Sequence, residues 1–176
     1  SVLISYIKGD LKELLNEPKI SKNEYLAKSI ESAFPHALVE RFPEALYAHQ
    51  LRSEIVATQL ANEMVNRMGI SYVNRMHEST GANINAIVKA YVAARDVFSM
   101  DELWKQIEAL DYVVPSEVQE KMMASLMRLV RRASRWFLRN RRRAIVLQEE
   151  VDRFHDGAAA ISTNLSNLLA GEGKQT

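Results

Sequence analysis

Residues 116–140 read SEVQEKMMASLMRLVRRASRWFLRN, and this stretch decides the fold class. Val118, Met122, Leu126, Leu129, Val130, Ala133 and Phe137 recur at spacings of three and four. At about 100° per residue they share one face of an α-helix, whereas a strand, with its period of two, would scatter them over both faces. Arg128, Arg132, Arg135, Arg139 and, just past the stretch, Arg142 form an opposing stripe about 80° wide. Ser116 and Gln119 have the S-x-x-Q spacing of a capping box, with Pro115 just outside it. The helix is expected to end at about Asn140.

Upstream, the same periodicity returns between punctuation marks. A first helix is expected from about Val2 to Asn16, with Pro18 past its end, and a second from Ser21 or Asn23 to Phe34. Pro35 suits the first turn of a short helix to Phe42, and Pro43 opens the next. That helix, whole or broken near His49, reaches Met68 and stops at Gly69. Ile70 to Ser79 follows and ends at Gly81, then a helix capped by Asn83 or Asn85 runs to Phe98. Ser99 and Glu102 form a second capping box, S-x-x-E, for a helix ending near Asp111. Downstream, Ala144 to about Leu169 is helical. Tyr112-Val113-Val114 is the single β-like triplet and is too short for a strand. The expectation is an all-α bundle of roughly eight helices. It forms one domain over residues 1–170, with a polar tail over 171–176 expected to be disordered.

Composition narrows the function. A chain of about 150 residues buries roughly 70% of its unfolded surface, so these 176 residues can build a core without cross-links. The absence of cysteine removes disulfides, Cys-ligated zinc and a thiol nucleophile, and fits a reducing compartment such as the cytoplasm. With 23 basic and 22 acidic side chains the chain lacks the basic excess of a dedicated nucleic-acid binder. Apolar runs fall far short of the ~20 residues a membrane span needs, and no signal peptide is visible. The start at Ser1, inside an apolar periodic stretch, reads as a cut from a longer protein.

Catalytic and metal motifs are missing. His36, His49, His77 and His155 include no i, i+4 pair, so H-E-x-x-H does not occur. Only Asp152–His155 approximates the Glu-x-x-His of a di-iron bundle, and it stands alone. Neither G-x-G-x-x-G, nor a P-loop, nor a G-x-S-x-G elbow is present. No residue is assigned as catalytic, cofactor-binding or metal-ligating.

Three features remain as interaction candidates. Guanidinium groups in the stripe Arg128, Arg132, Arg135, Arg139 and Arg142 suit ion pairs at an interface. The alternatives to that leading reading are a solvated face and a nucleic-acid contact in which Trp136 stacks a base. Gln59, Asn62 and Asn66 line one helix edge within roughly 60° and suit amide bonds across an interface, or water. Leu147, Val151, Phe154, Ala158, Ile161, Leu165 and Leu168 alternate by four and three, the seam of a helix packed along one partner. Packing inside the bundle and a stand-alone dimerisation domain both use such a seam. Gly157 interrupts it.

Several runs occur together in one order. Residues 51–69, LRSEIVATQLANEMVNRMG, continue into Val73-Asn74-Arg75 and then Glu78-Ser79-Thr80-Gly81-Ala82. Ala90-Tyr91-Val92-Ala93-Ala94-Arg95 follows, with Leu103-Trp104, Ile107 to Asp111, and Arg135 to Asn140. With Val2 to Lys8, Pro35 and Arg41-Phe42 near the start, this resembles the C-terminal part of the large bacterial NAD-specific glutamate dehydrogenases, from about Val2 to Asn140. The resemblance implies a parent enzyme that oxidises L-glutamate to 2-oxoglutarate and ammonium with NAD. It also implies that the glutamate-binding lysines and the dinucleotide fold lie upstream, so no catalytic residue carries over. The implied partners are the catalytic region of the same chain and further subunits of a homo-oligomer; no membrane is expected, and nucleic acid stays only as the rival partner of the arginine stripe. This chain alone is expected to be inactive.

Overall fold

The computed structural model describes residues 8–12, 23–140 and 145–172, with side chains as far as residue 163. Residues 8–12 are helical. There follow α1 (Glu24–Ala27), a 3-10 helix (Lys28–Ala33), α2 (His36–Arg41), α3 (Pro43–Tyr47), α4 (Arg52–Met68) and α5 (Tyr72–Thr80). The order closes with α6 (Ile84–Val97), α7 (Met100–Glu108), α8 (Ser116–Asn140) and α9 (Leu147–Glu172). Among the described residues there is no strand, so the fold is all-α, in more pieces than the roughly eight expected. Most of the expected first helix, and residues 173–176 of the expected tail, lie outside the described residues; Gly171 and Glu172 close α9.

The centre is α6. Its sequence is apolar nearly all round, and Ile87, Val88, Ala90, Tyr91, Val92, Ala93, Ala94 and Val97 are buried. A helix with that pattern must be covered on most sides, and α5, α7, α8 and α9 all pack on it. The small side chains of Ala90, Ala93 and Ala94 let those neighbours approach closely. Helix α4 is two-faced. Val56, Ala57, Leu60, Ala61, Met64, Val65 and Met68 point into the core, and it packs on α1, the 3-10 helix, α5 and α8. Trp104 of α7 is fully buried, with the Arg67 guanidinium 4.7 Å from its ring centroid.

Four helix ends follow local chemistry. Asn23 accepts from Leu26 N–H at 3.1 Å and Asn83 from Ala86 N–H at 2.9 Å, each as an N-cap. Gly69 and Gly81 end α4 and α5 at φ of 84° and 69°, where a side chain would be strained. The open question near His49 resolves as a break, because its Nδ1 accepts the Leu51 N–H at 3.1 Å. Neither capping box forms. Ser99 adopts φ 48° and its hydroxyl sits 3.3 Å from His155 Nε2, while Glu102 pairs with Lys105 at 3.4 Å. Ser116 stands inside the first turn of α8, whose first N–H groups bond to Pro115 O, and Gln119 Nε2 donates to Ile107 O at 2.8 Å and Asp111 at 2.7 Å. Tertiary partners have outcompeted the local caps.

The two long helices are only partly covered. On α8, Val130, Ser134 and Phe137 are buried, but Val118 and Met122 remain 43% and 38% exposed. On α9, Leu147 is buried and Val151, Phe154 and Ala158 pack against the core, so the seam seats within the chain on α6. Ile161 is 70% exposed, and the seam residues Leu165 and Leu168 lie outside the described side chains.

Candidate interaction surfaces

The polar side of α4 forms one wall of a cleft of about 720 Å³, opposite the 3-10 helix and the ends of α6 and α7. Gln59, Asn62 and Asn66 all lie in that wall, so the structure does bring the amide edge together. Asn66 Oδ1 accepts from Lys8 Nζ at 2.8 Å. Lys28, Arg67 and Lys105 add positive charge, and Glu31, Glu63 and Asp101 negative charge.

At the back of the cleft Arg95 ties the helices together. Its Nη1 donates to Glu63 at 3.0 and 2.9 Å, and its Nε to Asp96 at 2.6 Å. Asp101 of α7 is 3.9 Å away. The same carboxylates accept hydroxyls: Tyr91 donates to Glu63 at 2.7 Å and Tyr25 to Asp96 at 2.7 Å. One guanidinium with 14% side-chain exposure thus links α1, α4, α6 and α7. Burial alone would lower its pKa, but the Asp96 hydrogen bond and the charges of Glu63, Asp96 and Asp101 outweigh it and raise the pKa above its ordinary value, so Arg95 stays charged. Burial raises the pKa of Asp101, against the pull of Arg95. Sequence reading missed this hub because Glu63 and Arg95 are 32 residues apart and no motif joins them.

The four tyrosines at helix junctions make a measurable consequence. Burial raises the pKa of Tyr25, Tyr72 and Tyr91, with the Asp96 hydrogen bond adding to the first and the Glu63 charge to the last. Burial and the Glu31 hydrogen bond push Tyr47 up to about 12. Because each folded value lies above the ordinary 10.0, the fold favours the phenol. That stability is complete below the ordinary value and is lost as pH rises through the folded values. Tyrosinate absorbance from Tyr72 and Tyr91 is expected to appear together with loss of the helical circular dichroism signal. Ionisation of these two with the helices intact would contradict their burial.

The arginine stripe lies on the outer side of α8. Arg128, Arg132 and Arg139 are exposed and Arg131 and Arg135 half-buried; Arg142 lies outside the described residues. Among the described residues none of these five forms an ion pair with Asp or Glu. Arg128 donates to Ser125 Oγ at 2.8 Å, and Arg135 has its Nε closed off from solvent without a hydrogen-bond partner. Beside the stripe, Trp136 stacks edge-on with Phe137 and Phe154 at centroid distances of 5.3 and 5.5 Å. These rings wall an apolar pocket of about 350 Å³ between α8 and α9. The arginine periodicity was visible in sequence; the pocket was not, since its wall on α9 depends on how two distant helices meet. Among the described residues no group of three or more His, Asp or Glu side chains gathers as a metal site, and no helix is long and apolar enough to cross a membrane.

The family profile described as glutamate dehydrogenase, C-terminal, matches residues 1–176. The chain belongs to that family. The glutamate dehydrogenase C-terminal match extends past Asn140, where the resemblance read from sequence stopped, and so takes in α9. The NAD-specific glutamate dehydrogenase of Pseudomonas aeruginosa is 47% identical over 171 residues, which are 97% of this chain and 11% of that protein. That of Halomonas elongata is 45% identical over 172 residues, 98% of this chain and 11% of the relative. The Mycobacterium tuberculosis protein of the same name is 32% identical over 174 residues, again 11% of its length. The chain therefore spans about a ninth of the length of these relatives.

Proposed function

We propose that this chain serves as the non-catalytic helical C-terminal domain of a large NAD-dependent glutamate dehydrogenase. The observation that carries the reading is coverage: nearly the whole chain aligns with only 11% of each relative. In this reading the parent oxidises L-glutamate to 2-oxoglutarate, releases ammonium and reduces NAD in the cytoplasm. Hydride transfer needs a fold that orients the nicotinamide against the substrate carbon, and the reading assigns that fold to the region outside this chain. The domain packs against that catalytic region, and supports subunit contact in a homo-oligomer or regulation. The stripe of arginines without carboxylate partners supports a contact role, because a guanidinium fork is suited to carboxylates supplied from elsewhere.

Two measurements test it. The purified chain, given L-glutamate and NAD, is expected to produce no reduced cofactor above the no-protein blank. Turnover that a substitution in this chain abolishes would sink the reading. In the full-length enzyme, Arg132→Glu with Arg139→Glu is expected to loosen assembly or lower activity severalfold. These exposed positions avoid the buried Nε of Arg135, whose reversal would disturb the fold itself. No change in either property would leave the stripe as solvated charge. The same arginines keep a second reading in play, a helical nucleic-acid-binding module. It requires binding that weakens steeply with salt, and absence of such binding ends it.

A further inference from the structure

Gly157 stands inside α9 where nothing in the surrounding structure calls for a glycine. An added Cβ would meet no atom within 4 Å. A glycine in a helix interior costs about 1 kcal/mol against alanine, so on stability alone the position favours a side chain. What the missing side chain does is leave the mouth of the α8/α9 pocket open. Gly157 lines that pocket of about 350 Å³ together with Val97, Phe98, Phe154 and Ile161. Its walls are held stiff by mutual edge-to-face packing, Phe137 and Phe154 included at 5.9 Å.

The one charged side chain that lines this apolar hollow is basic. Arg153, one helical turn before Gly157, lines the pocket and is exposed. Arg132 and Arg139 lie four before and three after Trp136, on the same exposed strip of α8. Among the described residues none of the three pairs with a carboxylate. An apolar pocket lined by one guanidinium group and flanked in sequence by two more on α8 is complementary to a large apolar side chain carried on an acidic segment.

We infer that the α8/α9 pocket receives an apolar anchor from an acidic segment of the dehydrogenase chain outside these 176 residues. The inference rests on reading this chain as a terminal domain. The anchor displaces water from Trp136, Phe154 and Ile161, and flanking Asp or Glu side chains meet Arg132, Arg139 and Arg153. Gly157 is then kept for access at the expense of helix propensity.

The test uses the full-length enzyme. A photo-crosslinking amino acid at Ile161 is expected to capture one peptide, rich in Asp and Glu, from outside the domain. Gly157→Glu places a carboxylate in the pocket mouth and is expected to raise oxidative labelling of Trp136 severalfold. Gly157→Ala, whose methyl group enters open space, is expected to leave that labelling unchanged and not to lower the melting temperature. A crosslink into residues 1–176 of a second copy, to nucleic acid, or to no partner overturns the inference, as does labelling of Trp136 that ignores Gly157→Glu. If these fail while reversing Arg132 and Arg139 still loosens assembly, the pocket assignment falls and the terminal-domain reading stands. If both fail, the pocket assignment falls and the stripe is left as solvated charge.

Discussion

Arg95→Ala is expected to destabilise the domain by about 3 kcal/mol, the loss that follows when one partner of a mostly buried ion pair is removed. The cost does not come from losing attraction alone. Glu63 and Asp96 would remain with 25% and 20% side-chain exposure, and with no cation to meet them. Tyr91 and Tyr25 would still donate to them, but a phenol cannot neutralise a carboxylate. Arg95→Lys should recover little, since one ammonium cannot present a fork to two carboxylates at once. Denaturant melts of the two variants provide the check. A loss below about 1 kcal/mol for Arg95→Ala, the size typical of an exposed pair, would show that solvent screens this hub far more than its burial implies.

Trp104→Ala is expected to be comparably severe, about 3–5 kcal/mol, because it empties the largest fully buried side chain in the core. The stacking of Arg67 on the ring goes with it. Trp104→Phe makes the sharper measurement. The indole Nε1 is buried without a hydrogen-bond partner, so replacing it removes no bond. Phenylalanine keeps an aromatic face and leaves only a small void, with an expected cost of about 1–2 kcal/mol. If Trp104→Phe proved as damaging as Trp104→Ala, the indole nitrogen would have to be satisfied in solution.

The fold was readable where a residue acts on its own backbone. Gly69, Gly81 and Asn83 mark helix ends through local conformation or a side-chain bond three residues along, and the periodic faces of α4 and α8 follow from spacing alone. Reading failed where a distant partner competes. Ser99 carries the right residue for a cap, but its hydroxyl meets His155, 56 residues away, and its backbone turns left-handed. Gln119 likewise leaves its own helix end to close the loop after α7. The candidate surfaces divide the same way. The amide edge and the arginine stripe are properties of single helices and were legible. The Arg95 hub and the α8/α9 pocket exist only once separate helices have met, and no periodicity in one segment encodes the other.

The bond from Tyr25 to Asp96 joins residues 71 apart. In kinetic terms it is expected to act as a late latch. Closing so long a loop costs chain entropy that rises with the logarithm of its length, whereas α4 to α7 assemble through contacts between neighbours in sequence. A latch absent from the folding transition state does not set the speed of folding; it sets how long the folded state lasts. Tyr25→Phe is thus expected to shorten the lifetime of the folded domain more than it slows refolding, a difference that unfolding and refolding rates in denaturant would read.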